Sequence, residues 1–133
     1  MERTSHHKIG EEKNLTETKK AIIIFHYTEK IKSNLILTFS LLEVLSTMRD
    51  EEIEGAEKLL TAFLNALIRE VHIAANATEV KGFKDVNAKL EETIEQVKQH
   101  NYAEGMKLVS EAISLATTGG SQAVEVLKEK NLI

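Results

Sequence analysis

The sequence contains no cysteine, no proline and no tryptophan, and only six of its 133 residues are glycine. The missing cysteine excludes disulfides, thiolate metal sites and cysteine nucleophiles, and it agrees with a cytoplasmic protein, which we expect. The missing proline removes the strongest helix breaker, so long helices are permitted. A chain of this length fits one domain and buries roughly two thirds of its unfolded surface.

An excess of positive charge is missing as well. The formal net charge is -4, with 17 basic and 21 acidic residues, and nowhere do these form the basic stripe that nucleic-acid binding requires. The longest uncharged run in the most apolar segment covers only residues 33–42, whereas a membrane span needs roughly 20 residues. We therefore expect a soluble protein with no nucleic-acid partner and no membrane partner.

The segment from Leu15 to Arg49 is the most apolar part of the chain, and its pattern predicts a helix. The run from Ala21 to Phe25 alone would also fit a buried strand. The apolar repeat continues, however, for about nine turns at 3.6 residues per turn, which no strand matches. Several sides of this helix are apolar, including the row Ile23, Leu37 and Val44. Such a helix must be covered on most sides, by its own chain or by an assembly of chains.

Capping residues predict where the first two helices begin. Asn14 and Glu17 have the spacing of a capping box, so the first helix is predicted to begin at Leu15, after a flexible tail of residues 1–13. The stripe stops near Arg49, and Asp50 is the predicted N-cap of the second helix, because its side chain can accept a hydrogen bond from the first turn. A turn this short makes the two helices antiparallel.

Glycines and polar residues predict the remaining boundaries. Residues 81–84 form the predicted middle loop around Gly82, with Asp85 as the N-cap of the third helix. The pair Gly119 and Gly120 is the predicted end of the fourth helix. The predicted fold is all-α: an antiparallel bundle of four main helices, about 15–49, 51–78, 85–99 and 102–117, plus a short C-terminal helix, 121–130, in one domain covering residues 14–133.

Two histidines and two glutamates suggest a possible site. A hairpin bending near residue 50 places residue i opposite about residue 100 − i, because both helices rise about 1.5 Å per residue. This brings His26 and Glu29 to the height of Glu70 and His72. Glu70 and His72 lie about 200° apart around their helix, however, so both cannot point inward. We therefore predict no metal site, no catalytic residue and no cofactor.

Glu51, Glu54 and Glu57 resemble the ExxE half-motif of all-α nucleotide pyrophosphohydrolases. The ExxD half that would complete a magnesium cage is absent, because Glu70 is followed three places later by Ile73, and Glu79 by Gly82. The alternative function is a small enzyme of the metal-dependent hydrolase or nucleotide-processing kind, with a site formed across a dimer interface.

The first helix carries more apolar surface than short amphipathic helices can cover. Ile22, Phe25, Ile36 and Phe39 lie on its outer rows. Exposed apolar patches mark association surfaces, and the commonest closed assembly is a two-fold homodimer. We therefore predict a homodimer with these four residues in the interface. The expected function is self-association or the binding of a protein partner, as in an assembly or adaptor module, rather than catalysis.

Overall fold

A computed structural model describes the backbone of residues 2–133 and the side chains of residues 10–133. The chain forms four α-helices, α1 (Glu2–Leu45), α2 (Asp50–Thr78), α3 (Lys81–Lys98) and α4 (Tyr102–Glu129). They pack as an antiparallel four-helix bundle, in which α1 and α3 each contact both α2 and α4. The predicted all-α bundle is thus confirmed. Within the described residues, no helix combines the length and hydropathy needed to cross a membrane.

One contiguous cluster of buried apolar residues joins all four helices. Fully burying a large aliphatic or aromatic side chain stabilises a fold by about 1.5–3 kcal/mol, so this cluster supplies the main stabilising contribution. Its largest fully buried side chains are Leu35 and Leu42 of α1, Leu64 and Val71 of α2, Phe83, Val86, Leu90 and Val97 of α3, and Val109 of α4.

Helices α1 and α4 also pack on each other beyond the α2–α3 connection. Ala21 of α1 forms a small second cluster with Ala123 and Leu127 of α4. Just after α4, Nζ of Lys130 donates hydrogen bonds to two residues of α1. One goes to Oγ1 of Thr18, at 2.6 Å, and the other to the side-chain oxygen of Asn14. The predicted capping box at Asn14 is therefore wrong, because this residue lies inside α1 and its side chain bonds to Lys130, the C-cap of α4.

The first helix differs from its predicted span at both ends. It begins at Glu2 rather than Leu15 and ends at Leu45 rather than at Arg49. The expected flexibility of residues 1–13 stays a prediction, because helical geometry does not measure motion. Met1 and the side chains of residues 2–9 lie outside the described part of the chain.

The turn between α1 and α2 is closed by Arg49 rather than by Asp50. Arg49 is the N-cap of α2, and Asp50 is its first helical residue. The carboxylate of Glu52 accepts hydrogen bonds from the backbone N–H of Arg49, at 3.3 Å, and from its Nε, at 3.4 Å. The acidic first turn also lies at the positive end of the helix dipole. The predicted extent of the second helix, residues 51–78, agrees with Asp50–Thr78.

The glycines predicted to interrupt helices lie inside them. Helix α3 begins at Lys81 rather than Asp85, so residues 81–84 are its first turn and not a loop. Helix α4 continues through Gly119 and Gly120 to Glu129, so the separate C-terminal helix, 121–130, is wrong. The turn before α4 ends at Asn101, its N-cap, as the boundary predicted at residue 102 requires.

These glycines are placed where helices approach closely. A Cβ atom on Gly82 would lie 3.0 Å from the carbonyl oxygen of Leu115 and 3.3 Å from Cα of Gly119, across the α3–α4 contact. A Cβ atom on Gly120 would lie 2.6 Å from Cγ2 and 2.9 Å from Cβ of Thr28 on α1. A glycine destabilises a helix by about 1 kcal/mol relative to alanine. At these positions it also permits close packing that the methyl group of alanine would block.

Candidate functional site

The side of the bundle formed by α1 and α2 leaves apolar side chains exposed to water. We define the α1–α2 face by two rows of residues spaced seven apart, together with Leu41. Residues seven apart lie on one side of a helix, because two turns contain about seven residues. The α1 row is Ile23, Lys30, Leu37 and Val44, and the α2 row is Leu59, Ala66 and Ile73; all seven side chains are exposed.

An apolar groove of about 210 Å³ runs along this face near the α1–α2 turn. Its walls are formed by Leu41, Val44 and Leu45 from α1, by Met48 from the α1–α2 turn, and by Ala56, Leu59 and Leu60 from α2. The groove exists because α1 contacts α2 less extensively than any other pair of neighbouring helices in the bundle. The two helices therefore leave a shallow apolar cleft instead of closing on each other.

Leu59 is the most exposed large apolar residue of the face. Its exposed fraction is 76%, compared with 54% for Val44 and for Ile73. Exposed single leucines are common on protein surfaces, whereas a contiguous apolar patch marks an interaction site. Leu59 stands beside the groove with two partly exposed α1 residues, Leu41 and Val44, so the patch is contiguous.

One ion pair crosses the middle of the face. Nζ of Lys30 on α1 lies 3.4 Å from Oε2 of Glu70 on α2, and both side chains are 52% exposed. An ion pair this exposed stabilises the fold by well under about 1 kcal/mol. It does show that the two helices follow the expected register, in which facing residue numbers sum to about 100.

The four residues predicted for the interface fall in two environments. Ile22 and Ile36 are exposed on the outer side of α1, with exposed fractions of 49% and 55%. Phe25 packs against the α1–α4 cluster around Leu127, and Phe39 packs against the main core, so both are partly buried. The four therefore differ in exposure, and their role in an interface stays a prediction.

The histidines and glutamates that the hairpin brings to one height do not converge. Glu70 pairs with Lys30, and Glu29 lies 3.9 Å from Nζ of Lys32 on its own helix. His26 is exposed, and Nε2 of the exposed His72 lies 3.2 Å from the side-chain nitrogen of Asn76. Across residues 10–133, no group of three or more histidine or carboxylate side chains could hold a metal ion.

A polar cluster that the sequence pattern did not indicate joins α2 to the α3–α4 turn. The carboxylate of Glu57 accepts a hydrogen bond from the hydroxyl of Tyr102, and its Oε2 lies 2.7 Å from Nδ1 of His100. His100 has a φ of 61°, a conformation disfavoured for residues other than glycine. Glu57 is 43 residues before His100 and 45 before Tyr102, and no motif spacing relates it to them.

This cluster links α2 to the start of α4. Burial, together with the hydrogen bond to Glu57, raises the pKa of Tyr102 above its ordinary value near 10, so the hydroxyl stays protonated at neutral pH. Glu57 is only 15% exposed, and both of its contacts come from within the cluster. The adjacent cleft also contains Asp50 and Glu54, which give it an acidic lining.

Replacing Tyr102 with phenylalanine is expected to lower the free energy of unfolding by about 1–2 kcal/mol at pH 7, because the variant loses a hydrogen bond to a carboxylate. Because the pKa of Tyr102 is higher in the folded than in the unfolded chain, protonation of its hydroxyl stabilises the folded state. This stabilisation is complete below the unfolded pKa, near 10, and is lost as the pH rises above it. The difference between the two proteins should therefore shrink above pH 10. Urea denaturation between pH 7 and pH 11 measures it.

Tyr27→Phe serves as the control, because Tyr27 lies on α1, outside this cluster. It should change the free energy of unfolding by less than Tyr102→Phe does. Equal effects of the two substitutions, or a Tyr102→Phe difference that does not change between pH 7 and pH 11, would contradict the assigned hydrogen bond.

Comparison of the chain with protein-family models, with curated proteins and with solved structures gave no match.

Proposed function

We propose that the protein acts by self-association, as a homodimeric assembly module whose contact surface is the α1–α2 face. The observation that supports this most directly is the row of exposed apolar residues on two neighbouring helices, with Leu59 standing beside an apolar groove. Removing such side chains from water is favourable by about 25 cal/mol per Å² of apolar surface. A second protein surface with the same apolar character would provide that burial.

The total exposed surface agrees with this proposal. A compact monomer of 14.9 kDa is expected to expose roughly 7,000 Å², whereas this chain exposes 8722 Å². Part of the difference lies on residues 10–17 of α1, all of which are exposed. A standard protein interface buries about 800 Å² on each partner, which is less than the difference of about 1,700 Å².

Sedimentation velocity on the purified chain tests the proposal. At micromolar concentration we expect a mass of about twice 14.9 kDa, as the predicted homodimer requires. The double variant Val44→Lys with Leu59→Lys should dissociate. It places four ammonium groups in the dimer interface and removes four apolar contacts, so the dissociation constant should rise about a thousandfold or more.

The comparison variant is Ile22→Lys with Ile36→Lys, which changes two comparably exposed residues of the interface predicted from the sequence, outside the α1–α2 face proposed here. This variant should remain dimeric, and circular dichroism should show equal helix content in both variants. Dissociation of the control variant alone would move the interface to the outer side of α1. A wild-type chain that sediments as a monomer at all micromolar concentrations would refute self-association.

A further inference from the structure

The α1–α2 face has a fixed relation between height along the bundle and residue number. Lys30 contacts Glu70, and Leu41 lines the same groove as Leu59, so facing residue numbers on the two helices sum to about 100. Each helix rises about 1.5 Å per residue, so this relation holds along the whole antiparallel contact. A residue j of α2 therefore lies level with residue 100 − j of α1.

The two rows of the face are offset by half a repeat under this relation. Leu59 lies level with Leu41, which is between Leu37 and Val44 of the α1 row. By the same relation, the height of Ala66 falls midway between those of Leu37 and Lys30. The height of Ile73 falls midway between those of Lys30 and Ile23. Each residue of the α2 row thus has the height of a gap in the α1 row. Rows with this offset interdigitate when they face each other without a shift along the helix axis, as in the packing of side chains between helices.

We infer that the α1–α2 face binds a second copy of this chain about a two-fold axis parallel to α1 and α2, so that α1 of each copy packs on α2 of the other. This inference rests on the self-association proposed above and adds its geometry. A two-fold axis in this direction keeps every residue at its own height and exchanges the two helices. It therefore places the α2 row of one copy in the gaps of the α1 row of the other, twice by symmetry.

The charges of the face favour the same axis. Lys30 and Glu70 lie at one height on different helices, so the exchange of helices brings each Lys30 level with Glu70 of the second copy. A two-fold axis perpendicular to the helices reverses the heights instead. Centred on the middle of the face, near residue 34 of α1, it would set Lys30 level with Leu37 and leave a charge against an apolar side chain. The pair within each chain would remain, but the second copy would offer neither charge an opposite one. The parallel axis adds two such pairs between the copies, so it is favoured.

Charge exchange between two variants tests this geometry. Lys30→Glu and Glu70→Lys each put like charges at two places in the proposed dimer, so each variant alone should self-associate roughly tenfold more weakly than the wild type or worse. Mixed in equal amounts, they should form a heterodimer at least roughly tenfold tighter than either variant's homodimer, because opposite charges then meet at both places. Analytical ultracentrifugation with one variant fluorescently labelled measures all three affinities.

Lys98→Glu is the matched control, because it also breaks an exposed ion pair, with Glu95 at 3.5 Å, but on α3 and away from this face. Its self-association should equal that of the wild type. A mixture of Lys30→Glu and Glu70→Lys that associates no more tightly than the separate variants would overturn the proposed axis.

Cysteine cross-linking gives an independent readout, since the chain contains no cysteine of its own. Under mild oxidation, a mixture of Leu41→Cys and Leu59→Cys chains should form a disulfide-linked heterodimer. Each variant alone should form far less linked dimer, because like residues lie diagonally across the four helices, farther apart than the Cα separation of roughly 4.4–6.8 Å that a disulfide spans. A wild-type monomer would refute self-association itself. A wild-type dimer in which Leu41→Cys chains link efficiently to one another would overturn only the axis proposed here.

Discussion

Replacing Phe83 with alanine is expected to lower the free energy of unfolding by about 3–5 kcal/mol. The side chain of Phe83 is fully buried, with an exposed fraction of 0%, and belongs to the cluster that joins all four helices. Its removal loses the transfer free energy of a phenyl ring and leaves a cavity, because the backbone of the first turn of α3 cannot collapse into the space. This loss would be a large part of the stability of a domain of this size.

Urea denaturation at one fixed protein concentration measures the effect, since self-association would couple stability to concentration. The appropriate control is Phe39→Ala, because Phe39 is only partly buried at the edge of the same core. Its cost should be clearly smaller. A Phe83→Ala cost below about 1 kcal/mol, the cost typical of a residue in an exposed loop, would contradict the position of residues 81–84 inside α3.

Replacing Gly120 with alanine should also destabilise the bundle, by about 1–3 kcal/mol, although alanine is the better helix former. The added Cβ would overlap the Thr28 side chain at 2.6–2.9 Å, and Thr28 is itself buried on α1. The overlap includes the Cβ atom of Thr28, so a change of side-chain rotamer cannot remove it. The two helices must therefore move apart along their most extensive contact, the one between α1 and α4.

Gly55→Ala is the matched control for this prediction. Gly55 is also inside a helix, α2, but a Cβ atom there would have nothing within 4 Å. The same substitution should therefore stabilise the protein by about 0.5–1 kcal/mol through helix propensity alone. The opposite signs of the two changes separate close packing from propensity. If Gly120→Ala is as stabilising as Gly55→Ala, the proposed α1–α4 approach at Thr28 is wrong.

A double-mutant cycle between positions 28 and 120 locates the clash. Thr28→Ala removes the hydroxyl and Cγ2, so Gly120→Ala should cost less in that background than in the wild type. Recovery should be partial, because the remaining Cβ atom of residue 28 would still lie 2.9 Å from the new methyl group. Strict additivity of the two changes in thermal or urea denaturation would show that the residues do not touch.

The candidate site was only partly visible in the sequence. The row Ile23, Leu37 and Val44 could be read from spacing alone, because residues seven apart share one side of a helix. The spacing could not show which apolar rows of α1 remain exposed, because their exposure depends on how much of α1 is covered by α2 and α4. The structure leaves the α2 side of α1 open and partly covers Phe25 and Phe39.

The contact between Glu57, His100 and Tyr102 shows the same limit. Its members come from α2, from the turn before α4 and from the first residue of α4, and they meet only in the folded bundle. The hairpin register between α1 and α2 was predictable, because a short turn leaves two antiparallel helices one arrangement along their length. The Lys30–Glu70 pair agrees with it.

The sequence by itself determined that the chain is helical, that its first helix is apolar on most sides, and where α2 lies, since periodicity and acidic first turns are local properties. The tertiary structure alone decided what the glycines do. Gly82, Gly119 and Gly120 lie at points where helices nearly touch, so the packing gained there offsets their poor helix propensity. The low helix propensity of glycine is a local property that the sequence shows. The close approach of a neighbouring helix, which offsets that propensity, exists only in the folded bundle.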